Sequence, residues 1–139
     1  MANPLLENAL MNRVPKVISP TTHAVIDYAV VGYYFIAAGA CWGGNKRAGI
    51  SALASGAAVL GVSMFTDYWG DGRKPISFET HGKIDVGQGL AATLAPLLLG
   101  FADKPSASLF WGQAASEVAV LAMTDFEAAD RESQRLTAA

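Results

Sequence analysis

The sequence predicts an all-α membrane protein: a polytopic four-helix bundle built from two tandem helical hairpins with pseudo-two-fold symmetry. Three observations lead there. The 139 residues carry 10 Lys/Arg and 12 Asp/Glu, 16% of the chain, against about 25% in a soluble domain. The charges leave gaps of 18 residues between Asp27 and Lys46, 19 between Arg47 and Asp67, and 17 between Asp85 and Asp103. At about 1.5 Å rise per residue and about 30 Å of hydrocarbon, each gap approaches one crossing, and none has the polar face of a water-soluble helix. Third, the chain repeats itself.

The repeat has an offset of 58 residues without a gap. Lys16, Ile18, Ser19, Thr22, His23, Ile26 and Asp27 recur as Lys74, Ile76, Ser77, Thr80, His81, Ile84 and Asp85. Thr66-Asp67 recurs as Thr124-Asp125, followed by Tyr68 in one copy and Phe126 in the other. The apolar residues between these anchors scarcely match, as lipid-facing and packing positions allow, so what recurs is the polar pattern. The copies run over 16–68 and 74–126 within a single domain.

Taken in order, residues 4–14 read as a short interfacial amphipathic helix. Glu7 and its polar neighbours interrupt what a leader would keep apolar, so no cleaved signal is expected. Ser19 followed by Pro20 suits an N-cap with proline at the first helical position, where a missing N–H costs nothing. Helix one is predicted over 20–42, a Gly43-Gly44-Asn45 turn follows, and helix two covers 47–68. Trp69 to Pro75 is a polar connection. Ser77 then caps helix three over 78–101, Asp103-Lys104-Pro105 turns the chain, and helix four ends near 126. The tail 127–139 reads as a solvated helix end. Gly39, Gly43, Ala54 and Ala58, at four-residue spacing, are candidates for close helix approach.

Orientation follows from the basic residues. Arg13, Lys16, Arg73, Lys74, Arg131 and Arg135 flank one side, against Lys46, Arg47 and Lys104 on the other. The excess places both termini on the cytoplasmic side of the membrane. Other classes drop out. A net charge of -2 offers no basic stripe for nucleic acid, and Cys41 alone permits neither an internal disulfide nor a zinc-type cysteine cluster. No phosphate-binding loop, nucleophile elbow or dinucleotide glycine pattern occurs.

The chemistry lies in the repeated polar residues. His23 and Asp27, four apart, share one helix face, and His81 and Asp85 repeat the arrangement. Each hairpin returns to the side it left, so Asp67 and Asp125 are expected to end their helices beside the histidines. Four carboxylates about 8 Å apart at an effective dielectric near 20 repel by about 2 kcal/mol per pair. A metal, protons, imidazolium or the basic Lys16 and Lys74 must then neutralise them. Two readings stay open. In one, His23, Asp27, Asp67, His81, Asp85 and Asp125 ligate iron, manganese or zinc, the inventory that di-metal helical bundles use, though with His-x-x-x-Asp in place of Glu-x-x-His. In the other they form a hydrogen-bond and ion-pair lattice. Haem b between the two histidines is less favoured, because clustered aspartates repel its propionates.

Glu117, opposite Val59 in the first copy, falls inside helix four, where a charge costs about 2.5–3.5 kcal/mol on insertion scales, so it is expected to be protonated or turned inward to a partner. Gln88, opposite Val30, continues the His81–Asp85 stripe inward. Together they suggest a proton path, or a buried interhelical hydrogen bond. Tyr28, Tyr33, Tyr34 and Phe35 face lipid or line a cleft. The expected partners are the bilayer and either further copies of the chain or a larger membrane complex.

The Ser19-Pro20-x-x-His23-x-x-x-Asp27-Tyr28 opening and the Ala95-Pro96-Leu97-Leu98-Leu99-Gly100-Phe101 segment resemble a group of small bacterial membrane proteins that carry the SPW repeat. Ala95 and Leu97 stand where that pattern has Ser and Trp. The resemblance spans about residues 18–126 and implies membrane placement and bacterial origin, without an activity to carry over. Function is expected to be either metal binding or proton relay at the His/Asp cluster, or a non-catalytic membrane subunit or scaffold in which the cluster only locks the bundle.

Overall fold

The computed structural model describes residues 14–139. The predicted interfacial segment 4–14 and Arg13 therefore lie almost wholly outside the described residues. Five helices follow in order: α1 (Pro20–Cys41), α2 (Lys46–Phe65), α3 (Phe78–Leu98), α4 (Ala107–Met123) and α5 (Ala128–Thr137). Helices α1 and α2 are each long and apolar enough to cross a membrane, with mean hydropathy 1.5 and 1.7 over their best windows. Helices α3 and α4 do not meet that standard. Glu79, Lys83 and Asp85 crowd the first turns of α3, and α4 has 17 residues.

The helix starts follow the predicted capping. Ser19 Oγ accepts from Thr22 N at 3.2 Å, and its counterpart Ser77 accepts from Thr80 N at 3.1 Å. Pro20 occupies the first turn of α1, where its absent N–H is no loss. Asn45 caps α2 through Ala48 N at 3.2 Å.

The ends differ from expectation. Helix α2 stops at Phe65 and α4 at Met123, three residues earlier than predicted, because Thr66 and Thr124 turn extended. Thr66–Asp67 forms β1 and pairs in parallel with β2, Ile76–Ser77, with Thr66 opposite Ile76. In the other copy Ile18 bridges Thr124, with Ile18 N donating to Met123 O and Asp125 N to Ile18 O, both at 3.0 Å. These two bridges are images of each other at the 58-residue offset. Each hairpin's last residues pair with the residues leading into the other hairpin. Helix α3 also ends early: Pro96 lies in its last turn, and Gly100 turns the chain at φ +70°.

Small residues let α1 and α2 approach closely, but not those predicted. Ala37, Ala38, Ala48 and Ala52 are buried at the contact. A Cβ on Gly49 would lie 3.3 Å from the Ala38 carbonyl, and one on Gly56 would lie 2.8 Å from the Phe35 ring. Gly39 and Gly43 meet nothing within 4 Å, and Ala54 and Ala58 are exposed. The four-residue spacing was right and the face was wrong, since apolar residues surround both helices and leave no stripe to choose between. Tyr34 belongs to the core, and the Tyr33 hydroxyl ties α1 to α4 by donating to Leu109 O at 2.7 Å. Large apolar side chains meanwhile point outward, among them Ile36, Leu53, Leu90, Leu98 and Val118.

Candidate metal centre

His23 and Asp27 on α1 meet His81 and Asp85 on α3 at the end of the bundle where these helices begin. The i,i+4 spacing puts each imidazole and its own carboxylate on one face. His23 Nε2 lies 3.4 Å from Asp27 Oδ1 and 3.2 Å from Asp85 Oδ2. His81 Nε2 lies 3.1 Å from Asp27 Oδ2 and 3.0 Å from Asp85 Oδ2. One donor atom from each of the four side chains falls within 4.8 Å of every other. Both histidines are 1% exposed, Asp27 7% and Asp85 3%.

The rings are held from behind by residues of the opposite copy. His23 Nδ1 is 2.8 Å from Thr124 Oγ1, and His81 Nδ1 is 2.8 Å from Thr66 Oγ1. Each threonine donates its hydroxyl hydrogen to the carbonyl four residues back, Val120 or Val62, at 2.7 Å. A hydroxyl has one hydrogen to give, so the threonine oxygen can only accept from the ring. Nδ1 therefore carries the N–H in both histidines, and in the neutral ring Nε2 presents a lone pair to the centre. A hydrogen on Nε2 as well would make an imidazolium. His81 Nε2 has no hydrogen-bond partner, although two carboxylate oxygens stand about it.

An aromatic box closes the site. Phe78 packs edge-on to His23 at 5.2 Å between centroids, Phe126 contacts Phe78 at 4.9 Å, and Tyr68 lies 5.2 Å from His81. The Tyr68 hydroxyl donates to Asp27 Oδ2 at 2.5 Å. Burial, and next that bond to the carboxylate, raise the Tyr68 pKa well above its ordinary value and keep the hydroxyl protonated.

Four of the six predicted ligands thus converge and two do not. Asp67 accepts from the backbone N–H groups of Asp71 (3.1 Å) and Gly72 (2.7 Å), which shapes the connection after β1. Asp125 pairs with Arg131 at 2.5 Å. The Thr-Asp dipeptide does reach the histidines, but through Thr66 and Thr124. In an extended segment successive side chains point to opposite sides, so once the threonine faces the ring the aspartate faces away. The repeat flagged both residues, and only knowledge that the helix ends one residue before the threonine would have selected the right one. Tyr68 was visible as an aromatic but not as a donor. Lys16 does not neutralise the cluster either, since Nζ donates to Ala122 O at the end of α4 at 2.7 Å.

Gln88 and Glu117 sit deeper in the bundle, both half-buried. Glu117 Oε2 accepts from Gln113 Nε2 at 3.1 Å, and no hydrogen bond joins either predicted path residue to the centre among the described residues. Compared with protein-family models, curated proteins and solved structures, the chain matches none of them.

Proposed function

We propose that this chain is a four-helix inner-membrane protein whose four central side chains, His23, Asp27, His81 and Asp85, bind one divalent transition-metal ion through both Nε2 atoms and one oxygen of each carboxylate. One observation carries the reading. With both rings neutral their hydrogens are committed outward to Thr66 and Thr124, so two Nε2 lone pairs and two carboxylates face one another in a buried space, and the 3.2 Å approach of His23 Nε2 to Asp85 Oδ2 becomes a hydrogen bond only when that ring takes a second proton. Acceptors alone repel, so the occupant must be positive. Ligands placed tetrahedrally at about 2.0–2.1 Å from zinc stand about 3.3 Å apart. The imidazole–carboxylate separations of 3.0–3.4 Å are near that edge, though Asp27 turns Oδ1 to His23 and Oδ2 to His81, and the four ligand atoms lie within 4.8 Å of one another, so small side-chain rotations complete the sphere. Ligating histidines also characteristically donate their second N–H to an oxygen, the role the threonines fill. The donor set suits zinc, iron or manganese, and two carboxylates with two neutral imidazoles balance a divalent charge.

The bilayer placement rests on composition turned inside out, with charged groups central and Ile36, Leu98 and Val118 outward. Helices α3 and α4 cross with α1 and α2 in this reading, the polar first turns of α3 and the C-terminal end of α4 held against the centre. Both termini lie on the cytoplasmic side in this reading, in keeping with the bias of the basic residues. Equilibrium dialysis of detergent-purified protein followed by elemental analysis tests the reading. One ion per chain, lost in the His23→Ala, His81→Ala pair, is expected; an absence of stoichiometric metal in the unaltered protein overturns it.

A second reading, a non-catalytic subunit or scaffold, is favoured by the sealing of the site. An aromatic box and crossed Thr–His bonds join the two copies, and a centre with no open position stabilises a fold more naturally than it turns over substrate. Protons on Nε2 would then replace the metal, and the same dialysis separates the two. A relay of protons from Glu117 past Gln88 is the third form of this proposal, with the fewest contacts behind it.

A further inference from the structure

The two hairpins are not equivalent in mid-bundle. In the first, Val31 and Val59 close the seam, 7% and 8% exposed. Their counterparts 58 residues on are Gly89 and Glu117. The seam between α3 and α4 is correspondingly open: a cleft of about 320 Å³, near the lower end of ligand-site volumes, is lined by Val86, Leu90, Ala114, Val118 and Leu121 around the Glu117 carboxyl. Glycine makes the room, since a Cβ at position 89 would stand 3.4 Å from Glu117 Cγ. Val86, Leu90 and Val118 at the mouth are more than half exposed, so the cleft opens sideways on the apolar outer surface. Glu117 is its one ionisable lining residue. It holds a single neutral donor, Gln113, and no cation lies within ion-pair distance of it among the described residues.

A carboxyl in an apolar cleft without a counter-charge is held neutral by a proton, and a ligand ammonium offers the alternative, an ion pair shielded from water beside the Gln113 donor. We propose that the α3–α4 cleft binds an amphiphilic alkylammonium ligand from the bilayer, its ammonium on Glu117 and its chain along Val86, Leu90, Val118 and Leu121. The site is separate from the metal centre and shares with the reading above only the membrane placement.

The probe is radiolabelled n-decylammonium, dialysed against the full chain in phosphatidylcholine nanodiscs, with empty nanodiscs subtracted. One saturable site per chain is expected. Glu117→Gln, which keeps shape and the Gln113 contact, weakens binding by about tenfold or more, and Gly89→Val, which restores the residue of the first copy, abolishes it by filling the cleft. The helical circular-dichroism spectrum and melting temperature of both variants stay near those of the unaltered chain, which shows them folded and keeps this test apart from that of the centre. Absence of a saturable site overturns the proposal. So does equal binding by Glu117→Gln, or binding of neutral n-decanol as tight as that of the amine, since either result makes the cleft a groove for any acyl chain.

Discussion

The Tyr68 hydroxyl donates to Asp27 at 2.5 Å, whereas Phe126, its image in the second copy, has nothing to donate to Asp85. The centre is symmetric in its ligands and asymmetric in their support. Hydrogen bonds to charged groups contribute about 1.5–3 kcal/mol. Tyr68→Phe should therefore lower stability by about that much in chemical unfolding while leaving metal stoichiometry unchanged. A loss near zero would mean that water or the metal satisfies Asp27 instead.

The same tyrosine sets an alkaline limit. Its folded pKa is raised above the ordinary 10.0, first by burial and then by the Asp27 bond. The folded protein thus holds a proton that the unfolded chain releases above pH 10, so this contribution is complete below pH 10 and declines as pH rises beyond it. The absorbance change near 295 nm that appears only with unfolding should include Tyr68, and Tyr68→Phe should reduce it by one tyrosine.

Thr66 and Thr124 fix which ring nitrogen faces inward. Replacing either with Val removes the Nδ1 acceptor at nearly constant volume, and loss of such an outer partner weakens metal binding by about 10–100-fold. Ser, which keeps the hydroxyl, should retain most of the affinity. Competition titration with a zinc chelator reads the change, and imidazole nitrogen NMR shifts report whether the Nδ1–H form has been lost.

Because the ligands come from both copies, metal should couple the two hairpins. At free ion about 100 times Kd, binding to the folded form alone adds about 2.7 kcal/mol. The melting temperature should rise with zinc and return on chelation. Asp85→Asn should abolish the rise, and Asp125→Asn should not, because Asp125 is engaged with Arg131.

Gly82 tests the packing behind His23. The first copy has Ala24 there, but a Cβ at position 82 would come within 2.6 Å of the Phe126 ring. Gly82→Ala should cost about 1–3 kcal/mol by overpacking, and Phe126→Leu in the same chain should recover part of it.

Much of this was legible because polar residues in an apolar chain are expensive and therefore sparse. Ser19-Pro20 and Ser77 mark two helix starts, and the repeated His-x-x-x-Asp marks the four side chains that converge. What failed was orientation. Helices apolar all round give no signal for the face that packs, so the spacing of Gly39, Gly43, Ala54 and Ala58 points to one face while Gly49 and Gly56 make the close approach on another. The two-residue pairing at Thr66–Ile76 and the single bridge at Ile18–Thr124 are too short to read as strands from sequence, which therefore extends the helices through them and turns Asp67 and Asp125 inward in place of the threonines.

Those pairings bring the residues before the first helix alongside those after the fourth, so the chain is laid out almost as a closed loop with one ordinary gap. Cutting the 69–75 connection and joining the ends elsewhere would leave every ligand and every brace in place. By the same logic a single hairpin, supplied twice, contains all the parts from which such a centre is assembled, and the present chain reads as two such halves made continuous and then allowed to differ at Tyr68, Gly89 and Glu117.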